Sequence, residues 1–434
     1  MGRFLGSLSI GTSVLFLAFA PMAAAQDPGT VIVPESSVEH AADIGVRAHT
    51  NVRFMVPAGG LSAAEPAVSS SAGGPPFPGY FYETPASLAC VYDLYLPGCS
   101  PWDPRCAAPG VSDQVTLPDC NPNTTTVNPV GGSKVIAIVD AFHDPTAAMD
   151  LQRFSKQFGL PKAKFSVVFA TGLRPIVDPT GGWELEESLD IEWVHAMAPD
   201  AKIFLVEARS NTLGDLLQAE NVASKLVATH GGGEVENGWG GTEFFGESYF
   251  DSHFAKNKVV YVAAAGDSPG TEYPASSPNV VAAGGTSISR DTLTGSFLGE
   301  SAWQLTGGGP SAFEAIPSYQ SVISSIVGPA RGTPDISLDA DPNSGAWVYD
   351  SNPTGGVKGW FIVGGTSLSS AALTGIINAA GNFYTSTNAE LTVVYSNLGN
   401  ASDFRDIIAG TCGPYLGYSA VVGWDFCTGV GSDF

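Results

Sequence analysis

The stretch GGTSLSSAALTGI, residues 364–376, sets Ser367 in a glycine-led turn that runs into a helix of small and apolar residues. A hydroxyl so placed suits a nucleophile, and a nucleophile needs a group to take its proton. None of the six histidines stands in an H-G-T-H setting, so the base is sought among the acids. In WELEESLDIEWVHAMAP, Glu186 and Asp190 are four residues apart, the spacing that brings two side chains onto one helix face. Two readings are open: a solvated acidic face shared with Glu184, Glu187 and Glu192, or a coupled acid and base. Asp267, just past an apolar strand in AAAGDSPG, either caps a turn or, when protonated, donates a hydrogen bond to a developing oxyanion. His195, a turn beyond Asp190, is the rival base, with a satisfied core or surface histidine as its ordinary role. Asp140 in IAIVDA reads as an accessory or structural acid.

Those side chains need a scaffold. KVIAIVDA (134–141) reads as a buried strand, after which Asp144 caps a helix with Pro145 at its first position, carrying AAMDLQRFSKQF. KFSVVFA is a strand, and LEESLDIEWVHAMA a helix whose apolar stripe is Leu185, Leu189, Trp193 and Met197. KIFLVEA (202–208), a helix over LGDLLQAENVASKLVAT, and VVYVAAAGD (259–267) follow. Continuous apolar strands alternating with helices predict a parallel sheet covered on both faces. Functional groups of such sheets gather at the carboxyl ends of the strands, where Asp140, Asp267 and Ser367 all fall.

The 434 residues are 44% hydrophobic and only 14% charged, with 52 glycines and 31 prolines, a profile of a loop-rich globular chain. A net charge of −23 makes nucleic acid and anionic membrane poor partners. Arg3 followed by VLFLAFAPMAAA predicts a secretory signal cleaved after Ala25, leaving a secreted protein with no membrane span. In an exported chain six cysteines favour disulfides. Four are early (Cys90, Cys99, Cys106, Cys120) and two late (Cys412, Cys427), with pairing expected inside each group and the connectivity open. Between the signal and about residue 81, an extended VRFMVP precedes the linker-like AVSSSAGGPPFPG.

Several motifs in order carry a family likeness: ELEESLDIEWVHAMAPDAKI, VAAAGDSPGTEYPASSPNVVAAGGTS, FIVGGTSLSSAALTGIIN, FRDIIAG and VVGWDFCTGVGS. With TPASLACVYDLY and KVIAIVDAFHDP, they make residues 82–434 resemble the sedolisins, serine-carboxyl peptidases of subtilisin-like fold. The resemblance implies an α/β, three-layer sandwich with a mostly parallel, seven-stranded-type sheet flanked by helices. With the signal and linker read above, the expected division is signal peptide (1–25), short N-terminal pro-segment and linker (26–81) and sedolisin-like peptidase domain with a C-terminal calcium loop (82–434). The expected protein is a secreted, monomeric, acid-active endopeptidase acting on proteins and peptides. Ser367 would be the nucleophile, Glu186 the base, Asp190 the acid that tunes it, and Asp267 the oxyanion partner. One Ca2+ would be held by Asp406, Asp425 and the carbonyls of Ile407, Val421 and Gly423, in a loop bracketed by Cys412 and Cys427. The chemistry is coherent, because near pH 4 a histidine is protonated whereas a glutamate with pKa near 4 is half ionised.

Three departures from the family stand out. Ala371 replaces a usual proline, and Glu236 and Gly238 replace serines of the substrate-lining strand. Only about 55 residues separate the expected signal peptide from the peptidase pattern, where the family carries a long folded prodomain. A noncatalytic secreted binding protein on the same fold is the alternative.

Overall fold

Apolar runs of five to seven residues form the middle of the molecule because both of their faces are covered. The computed structural model describes residues 29–57, 74–94 and 120–433. The expected signal segment, Cys99 and Cys106 lie outside the described residues. In chain order come β1 (Thr30–Ile32), β2 (His49–Thr50), β3 (Arg53–Val56), α1 (Pro85–Val91), β4 (Val135–Ala141), α2 (Ala147–Phe158), β5 (Lys164–Phe169) and α3 (Gly182–Met197). Then follow β6 (Lys202–Ala208), α4 (Leu213–Thr229), β7 (Gly233–Asn237), β8 (Trp239–Thr242), β9 (Val259–Ala264), β10 (Glu272–Tyr273), β11 (Val281–Arg290) and β12 (Phe297–Ala302). The last part holds β13 (Gly309–Ala315), α5 (Ser324–Val327), β14 (Ala330–Thr333), β15 (Ile336–Asp339), β16 (Ala346–Thr354), β17 (Val357–Gly364), α6 (Thr366–Ala380) and α7 (Thr387–Ser396).

The central sheet runs in the order β12-β11-β9-β7-β4-β6-β5, with β15 also paired to β11. Seven of its eight strands are parallel, and β12 is an antiparallel edge. Alternation along β4 divides the core in two. Ile136 and Ile138 face Leu151 of α2, Leu189 of α3 and Leu368 of α6, while Val135, Ala137 and Val139 face Leu213, Leu216 and Leu217 of α4. The result is the expected three-layer α/β sandwich.

Two local expectations change. α2 begins at Ala147 with Thr146 as its N-cap residue, and Asp144 instead accepts the Thr146 N–H and hydroxyl through Oδ1 at 2.7 and 2.9 Å. The short side chain of Asp144 closes an Asx turn ahead of the helix instead of capping it. On α3 no solvated acidic face exists. Every residue from Gly182 to Met197 is buried, Glu184, Glu186, Glu187, Asp190 and Glu192 included. The cause is crowding from several sides, since α3 packs against α2, α6, β16 and the sheet. Where α6 crosses α3, a Cβ on Gly375 would lie 2.6 Å from Met197 Cβ, so only glycine allows this approach.

The VRFMVP piece becomes β3, paired antiparallel to β17 with Phe54 opposite Val363 and to β1 with Phe54 opposite Ile32. Residues 29–57 are therefore built into the folded unit. Cys90 bonds Cys120 and Cys412 bonds Cys427, each within its expected group. Among the described residues no helix is long and apolar enough to cross a membrane.

Candidate active site

Ser367 is the second residue of α6, and Gly365, with φ of 106°, makes the turn that precedes it. Its Oγ donates to the Gly238 carbonyl at 2.7 Å. A Cβ built on Gly238 would lie 2.2 Å from Glu186 Oε1 and 2.6 Å from Asp190 Oδ2. One residue without a side chain thus adjoins the serine hydroxyl and both carboxyls. At Gly238 the carboxyls fill the space a side chain would take.

Glu186, Asp190 and Ser367 are all fully buried. Burial, then the neighbouring Asp140 carboxyl, pushes Glu186 well above the ordinary range, with the Ser367 hydroxyl pulling the other way. Asp190 is also raised well above its usual value, by burial first and then by Glu236, Glu186 and Asp140. Glu236 on β7 accepts the Ser370 hydroxyl at 2.6 Å and is pushed to about 7 by burial. Four carboxyls, Asp140, Glu186, Asp190 and Glu236, form one interacting group in which like charges and dry surroundings hold protons in place. In the sequence Glu236 reads only as a change in the substrate-lining strand. An acid inside the buried EVEN strand was the available signal that it belonged to this cluster.

Asp267 follows β9 beside the start of α6. Its Oδ1 accepts the Thr366 N–H at 2.7 Å and hydroxyl at 3.1 Å, and its Oδ2 lies 3.4 Å from Arg53 Nε. Burial raises its pKa to about 6 against the opposing pull of Arg53 and the Thr366 N–H. Arg53, from the expected pro-segment, was not anticipated as a neighbour of this site. Nothing in its local sequence points there, because the contact spans more than two hundred positions. His195 is removed from this chemistry, since its Nε2 donates to the Pro161 carbonyl at 2.9 Å and burial lowers its pKa.

The C-terminal loop holds the other predicted group. Asp406 Oδ2 accepts the Gly423 N–H at 2.9 Å, and its Oδ1 is buried without a partner among the described residues. Asp425 accepts the N–H groups of Val421, Cys427 and Thr428 at 2.9, 2.8 and 2.9 Å. The carbonyls of Ile407, Val421 and Gly423 accept no backbone hydrogen bond among the described residues. No cluster of three or more His, Cys, Asp or Glu side chains is placed to hold a metal among the described residues, so a cation here would lean on backbone oxygens. An orphaned carboxylate oxygen and unpaired carbonyls in one loop form a donor set of the kind a hard cation takes.

A parallel sheet that presents a serine at a helix N-terminus, with acids at neighbouring strand ends, defines the subtilisin-like class. The structure of Pseudomonas sedolisin, a serine-carboxyl proteinase complexed with two molecules of pseudo-iodotyrostatin, aligns with a TM-score of 0.60 at 23% identity, covering 84% of this chain and 96% of that one. Sedolisin of Pseudomonas sp. (strain 101) is 26% identical over 352 residues, 70% of this chain. Kumamolisin of Bacillus sp. (strain MN-32) is 31% identical over 346 residues, again 70% of this chain. No family model matches. The chain is thus similar to members of the sedolisin family and shares their fold. It spans 57% and 58% of the lengths of these two relatives.

Proposed function

We propose that this chain is a secreted serine-carboxyl endopeptidase active in acid, stabilised by one Ca2+ in the loop of Asp406, Ile407, Val421, Gly423 and Asp425. The observation that carries the reading is the convergence of Ser367, Glu186 and Asp190 on Gly238. Ser367 Oγ attacks the substrate carbonyl and passes its proton to Glu186, which Asp190 orients and tunes. The tetrahedral oxyanion is met by the Ser367 N–H, at the start of α6, and by protonated Asp267. Glu186 then protonates the leaving amine, and water resolves the acyl-enzyme. The calcium supplies charge and rigidity to its loop and takes no part in these steps.

The pH dependence follows from two opposed requirements. The coupled pair must lose a proton to act as base, whereas Asp267 must keep one to donate. With Asp267 at about 6, activity falls as pH rises through that value. The test is cleavage of a denatured protein between pH 3 and pH 8 by the chain, by Glu186→Gln and by Ser367→Ala. An acid optimum abolished in both variants is expected. A neutral optimum that survives Glu186→Gln would return the base to a histidine. No cleavage at any pH would favour the noncatalytic binding protein.

A further inference from the structure

On one side the central sheet ends at β5, whose outer edge pairs with no strand among the described residues. The Ala170 N–H donates inward, to the Glu207 carbonyl at the end of β6, at 3.0 Å. A residue's N–H and C=O leave a strand on the same side, and that side alternates along the chain. Lys164, Ser166 and Val168 therefore serve the ladder with β6, and the backbone groups of Phe165 and Val167 point outward. No backbone hydrogen bond outside the β5–β6 ladder reaches those two residues among the described residues. Such an edge is a template for a further strand.

The edge borders a groove of about 770 Å3 between α2 and the start of β5. Met149, Leu160 and Phe165 give it apolar walls, and Arg153, Lys156 and Lys162 stand around them. Met149 is 61% exposed despite being apolar, so this face of α2 has no cover among the described residues. Phe165 and Val167 send their side chains toward the core on the α2 side of the sheet. A strand laid along the edge would likewise turn every second side chain toward α2 and the groove.

The charge around the groove runs against that of the molecule. From Leu151 to Val177 the chain carries Arg153, Lys156, Lys162, Lys164 and Arg174 and no acid, in a protein with 42 acids against 19 bases. Lys164 lies 3.9 Å from Asp200, but no salt bridge among the described residues reaches Arg153, Lys156 or Lys162. The Arg153 guanidinium rests over the Tyr349 ring at 5.6 Å, a contact that leaves its charge unneutralised. Cations gathered beside an apolar wall complement a ligand that is both acidic and apolar. They also oppose a second copy of this chain, because two such edges side by side would bring the same cations together.

We propose that the groove between α2 and β5 docks an extended acidic peptide segment of another polypeptide, added to the sheet as a further strand. Its backbone pairs with Phe165 and Val167, its apolar side chains lie against Met149, Leu160 and Phe165, and its carboxylates face Arg153, Lys156 and Lys162. The groove is separate from the candidate active site. β6 lies between β5 and β4, and Ser367, Glu186 and Asp190 are carried by α6 and α3. Docking therefore does not depend on the peptidase reading, and it would hold a polypeptide by a segment other than the one at Ser367.

The test uses the full chain with Ser367→Ala, so that the probe stays uncut, at pH 6, where glutamate side chains are ionised. A short fluorescent peptide of alternating valine and glutamate is titrated in, beside the same peptide with lysine for glutamate. The glutamate peptide should bind at least about tenfold more tightly, and its affinity should fall as salt is raised. The double variant Arg153→Glu, Lys162→Glu should weaken it by about tenfold or more. Both positions are exposed, so the fold is retained. Hydrogen exchange reads the backbone pairing: the Phe165 and Val167 amides should slow at least about tenfold on binding, while those of Ser166 and Val168 are protected already. Equal binding of the two peptides, or none by either, overturns the proposal. So does binding that ignores the double variant or leaves both outward amides exchanging. Protection of Phe165 and Val167 that instead grows with protein concentration, without peptide, would replace the acidic segment with a second copy of the chain.

Discussion

At Gly238 the serine hydroxyl, both carboxyls and the Asn51 N–H meet around one residue. A methyl group there has no empty space to enter, since the nearest carboxylate oxygen would lie at 2.2 Å. Gly238→Ala must therefore push Glu186 or Asp190 away from Ser367. Displacing a catalytic group by about 1 Å costs about a hundredfold in rate, so kcat should fall by roughly that factor with little change in thermal midpoint. Paired kinetics and calorimetry check this, and an alanine variant with full activity would remove the proposed geometry. Serine at this position, as in the family, would need a different seating of the acids.

At the level of elements, α3 and α6 act as one unit. α3 carries Glu186 and Asp190, α6 carries Ser367, and Gly375 brings the two into close contact. Among the described residues the acids on α3 are reached by few donors: Tyr349 N–H donates to Glu192 at 2.9 Å and Asp178 N–H to Glu184 at 2.8 Å, while no donor stands in hydrogen-bond geometry to the carboxyls of Glu186 and Asp190. Unpaired buried carboxyls of this sort are tolerated when they hold a proton, and they are kept where function needs them. In the C-terminal loop Asp406 Oδ1 is also without a partner among the described residues, as a cation ligand would be. Adding a chelator should lower the thermal midpoint, with about 2.7 kcal/mol lost if Ca2+ stood at a hundred times its Kd. The midpoint of Asp406→Ala should not respond to chelator. A parent chain indifferent to both chelator and added Ca2+ would exclude the site.

Over the whole molecule, the excess of acid meets an interior that has taken many acids in. Burial raises Glu184, Glu220, Glu234 and Asp350 to about 8 and Glu236 to about 7. An acid with a higher pKa in the fold keeps its proton longer when folded. Its contribution to stability is complete below the unfolded value of about 4 and declines as pH rises until the folded value is passed. The window of loss therefore runs from about pH 4 to pH 8, with each group contributing up to about 1.4 kcal/mol per pH unit. Growing repulsion on a chain of net charge −23 acts in the same direction. Thermal midpoints should be highest near pH 4 and fall steadily to pH 8, and a flat or rising profile across that range would contradict the buried state of these acids.

Much of this was legible along the chain. Hydrophobic periodicity located β4, β5, β6, β9, α3 and α4, because strands covered on both faces must be apolar throughout and helices must repeat with their turn. The nucleophile turn and the four-residue spacing of Glu186 and Asp190 are local patterns, so the sequence alone determined them, together with the family resemblance. What it left open depended on distant surfaces. Burial of all of α3 was hidden because its carboxyls look polar wherever they end up. Glu236 joined the acids only when β7 came to lie beside β4, and Arg53 reached Asp267 only through the pairing of β3 with β17. Whether the acids keep their protons is set by packing between segments far apart in the chain, and only the tertiary structure decided it.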